Sequence, residues 1–86
     1  MAYRVDIKRS AAKELAALPA KLRVRVDERL LELGTAPRSM GALKLAGPDD
    51  LYRVRVGDVR VLYSILDDVL VVLVVKVAHR REVYRR

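Results

Sequence analysis

Residues 51–66 read LYRVRVGDVRVLYSIL, and no other stretch limits the possible folds as tightly. Apolar residues recur at every second position on both sides of Gly57-Asp58. Tyr52, Val54 and Val56 share one face of the first run, and Val59, Val61, Tyr63 and Ile65 share one face of the second. This period of two is the pattern of strands buried on one side. A glycine-containing dipeptide between two such runs predicts a two-residue hairpin, because glycine takes the positive φ that the turn needs. The register follows: Val56 faces Val59, Val54 faces Val61 and Tyr52 faces Tyr63. The opposite face then sets Arg55 directly across from Arg60, with Arg53 next along.

Like charges directly opposite on a sheet oppose folding by roughly a few tenths to 1 kcal/mol. Folding alone does not call for that pairing. Isolated arginines commonly splay into water. Three on one hairpin face, beside a basic tail, fit an anion lying across the face, because planar guanidinium forks match phosphate oxygens.

Residues 69–77 are almost continuously apolar, interrupted only by Lys76. A β-branched run of that length predicts a central strand buried on both sides, and it is too short to span a membrane. Asp67-Asp68 is the turn signal before it. With a two-residue turn, Leu66 pairs with Val69. The tail from His79 to Tyr84 is then delivered to the end of the sheet that carries Arg55 and Arg60.

Upstream, residues 3–8 alternate with Tyr3, Val5 and Ile7 inward, which predicts a strand. Ser10 is a candidate N-cap for a short helix with Ala11, Leu15 and Leu18 on one stripe. Pro19 separates it from a second helix carrying Leu22, Val26, Leu30 and Leu33, closed by Gly34. The second helix's Lys21, Arg25, Asp27, Glu28, Arg29 and Glu32 read as a mixed, solvated face. Residues 35–50 hold Pro37, Gly41, Gly47 and Pro48 and read as a long loop, with Leu43 and Leu45 docking locally. The whole is a small α+β domain over residues 1–86: an N-terminal strand, a helical hairpin, then a mainly antiparallel sheet of three consecutive strands.

An 86-residue chain with 18 Lys and Arg against 11 Asp and Glu carries a formal charge of +7. That bias favours nucleic acid or an acidic protein as partner. No amphipathic helix bears the bulky aromatics that would enter a membrane surface. Cysteine is absent and histidine occurs once, so neither a disulfide framework nor a zinc site is expected. Residues 1–4 lead directly into alternating structure without a secretory signal, and cytoplasm is the default compartment. No metal or other cofactor is expected.

The remaining chemistry is arginine, one histidine and one tail tyrosine. RNA brings its own nucleophile, the 2′-hydroxyl. An enzyme must align it with the adjacent phosphate, stabilise the charge that develops there and move two protons. Arginines suit the second task and, staying protonated, are poor bases.

Three segments carry a family resemblance: LKLAG at 43–47, LYRVRVGDVRVLY at 51–63 and VAHRREVY at 77–84. Together with the element order, which covers nearly the whole chain, they resemble the RelE/ParE toxin superfamily, and most of all its RelE branch. That resemblance implies a toxin of a type II toxin–antitoxin pair, an endoribonuclease cutting mRNA in the ribosomal A site and restrained by an acidic, RelB-like antitoxin. Carried over by position, the family's basic cluster falls on Arg53, Arg55 and Arg60, its tail arginine on Arg80 and its terminal tyrosine on Tyr84. Arg60, Arg80, Tyr84 and His79 are thus the expected catalytic residues. Arg53, Arg55, Lys44, Arg81, Arg85 and Arg86 are the expected RNA-binding residues.

Some RelE toxins have lysines where this chain has Arg53 and Arg55. A lysine can serve as a base and an arginine cannot, which leaves His79 as the one conventional base. Two other readings compete: a ParE-type toxin that inhibits DNA gyrase without nuclease activity, and a basic binding module without catalysis.

Overall fold

A computed structural model describes residues 2–45, 47 and 50–79. Seven elements follow in order: β1 (Arg4–Ile7), α1 (Arg9–Ala16), α2 (Ala20–Thr35), β2 (Leu43–Lys44), β3 (Leu51–Val56), β4 (Val59–Leu66) and β5 (Val71–His79). The strands form one sheet in the order β1-β5-β4-β3-β2. β1 runs parallel to β5 and every other pairing is antiparallel.

The β3–β4 hairpin has the predicted register, from Val56 opposite Val59 to Tyr52 opposite Tyr63, with Gly57 at φ +57°. Its apolar face is the floor of the core. Val54, Val59, Val61, Tyr63 and Ile65 are all nearly inaccessible, and the two tyrosine rings stack at 5.8 Å. The helices close this face with the predicted stripes: Ala11, Leu15 and Leu18, then Val26, Leu30 and Leu33.

Several local expectations are corrected. The turn after β4 has four residues, so Leu66 pairs with Val71. Leu70 takes φ +54° there, and its carbonyl accepts the Arg4 N–H that starts the parallel ladder. Sequence spacing shows the turn but not the β1 ladder that sets its length. β5 is central by pairing, but its two faces are covered unequally: Val72, Val74 and Val77 are buried on the helix side, while on the other side Val71 is buried, Leu73 and Ala78 are partly covered and Lys76 is exposed. α1 is capped at Lys8, and Ser10 lies inside it, because the Lys8 N–H still bonds to Val74 in the sheet. Finally, α2 continues through Gly34 to Thr35, and the loop after it contains β2.

A bulge between Leu62 and Tyr63 shifts the β4–β5 register, so that Val59 faces His79 and Arg60 faces Ala78. Near this bulge the β5 edge extends beyond β1. Glu14 of α1 closes it, accepting the Val77 N–H at 2.8 Å and pairing with Lys76 at 2.8 Å. Burial alone would raise the Glu14 carboxyl, but Lys76 and the Val77 N–H outweigh it and hold the group below its ordinary value.

Candidate functional site

The face of the sheet turned away from the helices is open among the described residues. Alternation along β3 and β4 puts Arg53, Arg55 and Arg60 on it, and Arg55 stands directly across from Arg60. Ala78 is the next residue in that row and sets only a methyl group beside Arg60. Arg55 and Arg60 are exposed and Arg53 is half-buried. None of the three forms an ion pair with another described residue. Buried polar groups are almost always paired, yet the Arg53 Nε is buried and has no hydrogen-bond partner among the described residues. The row therefore presents guanidinium groups with unused donors over a shallow floor. Such a surface grips a phosphate through several charge-assisted hydrogen bonds.

Other predicted residues are placed differently. Directly opposed residues share a face, so His79, opposite the fully buried Val59, belongs to the helix-covered side. It reaches the predicted end of the sheet but not the arginine face. Lys44 is set opposite Tyr52, also on the helix side, and its ammonium lies 3.5 Å from the Asp50 carboxylate. Arg80, Arg81, Tyr84, Arg85 and Arg86 lie outside the described residues.

The far end of the sheet is bound up in structure. Arg38 pairs with Asp67 at 2.7 Å, donates to the Tyr52 hydroxyl and lies over the Tyr52 ring. Tyr3 donates to the same carboxylate at 2.6 Å. Hydrogen bonds from Arg38 and then Tyr3 pull the Asp67 pKa down to about 2. Tyr63 donates to the Pro37 carbonyl at 2.7 Å, and burial raises its hydroxyl pKa. These contacts pin the loop after α2 to the sheet and leave the Gly57 end exposed.

Sequence reasoning missed two α2 arginines. Arg29, read as solvated, has only 17% of its side chain exposed. It pairs with Glu32 and donates to the Ser39 hydroxyl and the Met40 carbonyl. Arg25 lies against the hairpin turn: a Cβ on Gly57 would sit 3.3 Å from its Nη1. Helical spacing held a signal, since Arg25 and Arg29 lie one turn from Leu22 and Val26 and border the apolar stripe rather than oppose it.

The family model for the ParE toxin of type II toxin–antitoxin systems matches residues 5–84. The mRNA interferase toxin RelE of Escherichia coli is 34% identical over 88 residues, spanning 98% of this chain and 92% of that protein. The chain belongs to the RelE/ParE toxin superfamily. Its RelE-branch character extends to solved structures. The RelE–RelB complex of Pyrococcus horikoshii aligns with TM-score 0.80 at 34% identity, over 93% of this chain and 97% of that one. The intact toxin–antitoxin complex of Escherichia coli RelE with RelB aligns with TM-score 0.80 at 30% identity, over 91% and 96%. The order of strand, helical hairpin and mainly antiparallel sheet is thus the RelE fold.

Proposed function

We propose that this chain is the toxin of a type II toxin–antitoxin pair and an endoribonuclease that cuts mRNA on the ribosome. The observation that carries the reading is the open face on which Arg55 opposes Arg60 beside an Arg53 with an unsatisfied buried donor. The similarity to an mRNA interferase supports it.

In this reading the 2′-hydroxyl of the RNA attacks the adjacent phosphorus as it loses its proton. The bond to the 5′-oxygen breaks, and that oxygen gains a proton. The products are a 2′,3′-cyclic phosphate and a 5′-hydroxyl. Arg55 and Arg60 orient the scissile phosphate and stabilise its developing charge, and Arg53 holds the backbone beside it. The family resemblance gives Arg80 a share in charge stabilisation and Tyr84 the proton for the leaving oxygen. Arg81, Arg85, Arg86 and Lys44 add diffuse attraction to RNA. His79, on the other side of the sheet, requires a path around the strand end to act as the base.

The solved complexes from Pyrococcus horikoshii and Escherichia coli pair RelE with RelB, and an acidic RelB-like antitoxin covering the basic face is the matching partner here. The deciding experiment is induction without the partner, followed by mapping of mRNA ends. Cuts in ribosome-bound mRNA are expected, with little cleavage of naked RNA. Intact mRNA accompanied by DNA breaks would instead establish the gyrase-directed alternative.

A further inference from the structure

Between α2 and the end of β3 lies a cleft of about 270 Å³ lined by Arg25, Glu28, Arg29, Glu32, Arg55, Val56 and Gly57. Its lining is mostly charged, with arginine and glutamate side chains from α2 and Arg55 from β3. β2 pairs with Tyr52 and Arg53, so the β3 edge at Arg55 has no neighbouring strand among the described residues. Arg55 therefore belongs both to the open face and to this cleft around the strand edge.

The charges in the cleft do not cancel. Arg29 is matched by Glu32 at 2.8 Å. Arg25, Arg55 and Glu28 have no ion-pair partner among the described residues, which leaves two cations and one carboxylate. Arg25 is also separated from Glu28 by three residues, a spacing at which a helical ion pair forms readily. Its guanidinium lies instead against the Gly57 turn. A donor fork held at a glycine turn, next to a second unpaired arginine, is arranged for an anion from outside.

We infer that Arg25 and Arg55 form a second phosphate subsite, which takes a neighbouring backbone phosphate of the RNA strand held on the Arg55–Arg60 face. The inference rests on the nuclease reading above. Continuity through Arg55 argues for one strand rather than a separate ligand: the backbone crosses the bare β3 edge and descends toward α2. Arg25 is a positioning residue that contributes affinity and register, not charge at the reacting phosphorus. Glu28 at the rim opposes the same phosphate and keeps the subsite weak.

The test uses the full chain and a short single-stranded RNA made uncleavable by a 2′-deoxy sugar, with affinity measured over a range of salt. One phosphate contact contributes about 0.7 to the slope of log affinity against log salt for a single strand. Arg25→Gln is expected to reduce the slope by about that amount, and Arg25→Lys to restore it. Glu28→Gln should tighten binding. In single-turnover cleavage on programmed ribosomes, Arg25→Gln should raise the toxin concentration needed for half-maximal rate, and Arg25→Lys should bring it back toward the parental value. An unchanged slope in Arg25→Gln would overturn the subsite, as would Glu28→Gln binding no more tightly than the parent. A loss confined to antitoxin affinity would overturn it and assign the cleft to the protein partner. A parent that binds RNA with the Arg25-dependent slope yet leaves ribosomal mRNA intact would refute the nuclease reading alone.

Discussion

Arg60 faces Arg55 across the hairpin, so their mutual repulsion opposes folding while their donors converge on one point. Removing either charge should therefore separate function from stability. Arg60→Ala is expected to melt at or slightly above the parental temperature and to cut single-turnover cleavage ~10²–10³-fold, the loss typical for a charge-stabilising donor. A marked fall in melting temperature would make Arg60 a structural residue instead. His79 has the opposite placement, sharing the helix-covered face with Val59. His79→Gln should therefore retain most of the parental rate from pH 5 to 8, and the proton would then pass to a group of the RNA or the ribosome. A steep loss on the alkaline limb would return the role of base to His79. The arginine row was legible in the sequence because strand alternation fixes faces. The side on which His79 lies was not, because it depends on the length of the turn after β4 and on the bulge at Leu62/Tyr63.

Among the elements, those with self-contained signals were readable: the β3–β4 hairpin, the two helical stripes and the β1 alternation. Features made by contact between distant elements were not. The four-residue turn is set by the parallel ladder with β1, β2 exists by pairing with β3, and the Arg25 cleft exists because α2 crosses the Gly57 turn. The loop after α2 also depends on distant partners, and its anchors can be tested by substitution. Tyr63 is fully buried and its hydroxyl donates to the carbonyl of the buried Pro37. Tyr63→Phe keeps the ring but strands that carbonyl, so a loss of about 1–2 kcal/mol is expected. In a domain of this size that corresponds to a melting temperature lower by roughly 4–15 °C. An unchanged melting curve would show that water replaces the bond. The Asp67 anchor gives a pH signature. Its carboxyl is depressed from 3.8 to about 2 in the fold, so its stabilising effect is complete above the unfolded value and is lost as pH falls through the folded one. The difference in melting temperature between the parent and Asp67→Asn should hold above pH ~4 and close toward pH ~2. A difference that persists undiminished at pH ~2 would exclude the carboxylate as its source.

At the scale of the whole molecule, the charge distribution links the nuclease face to its restraint. The chain carries +7, and Asp67 at the far end of the sheet and Glu14 of α1 are already engaged with Arg38, Tyr3 and Lys76. Among the described residues, the sheet cations without an ion-pair partner at the Gly57 end are Arg53, Arg55 and Arg60, with Arg25 across the strand edge. A field with that polarity draws any polyanion to the same end, so RNA and an acidic antitoxin segment compete for one surface. Charge complementarity acts mainly on the rate of encounter, and salt screens it. The association rate of the antitoxin should therefore fall steeply as ionic strength rises from 0.05 to 0.5 M, by about tenfold or more, while its dissociation rate changes little. Arg60→Ala and Arg25→Gln should each flatten that dependence, because each removes one steering charge without exposing apolar area. An association rate insensitive to salt would mean that the antitoxin is captured through apolar contact elsewhere on the fold. Competition with RNA at the Gly57 end would then have to be indirect, and a pulse of short RNA would no longer slow antitoxin binding.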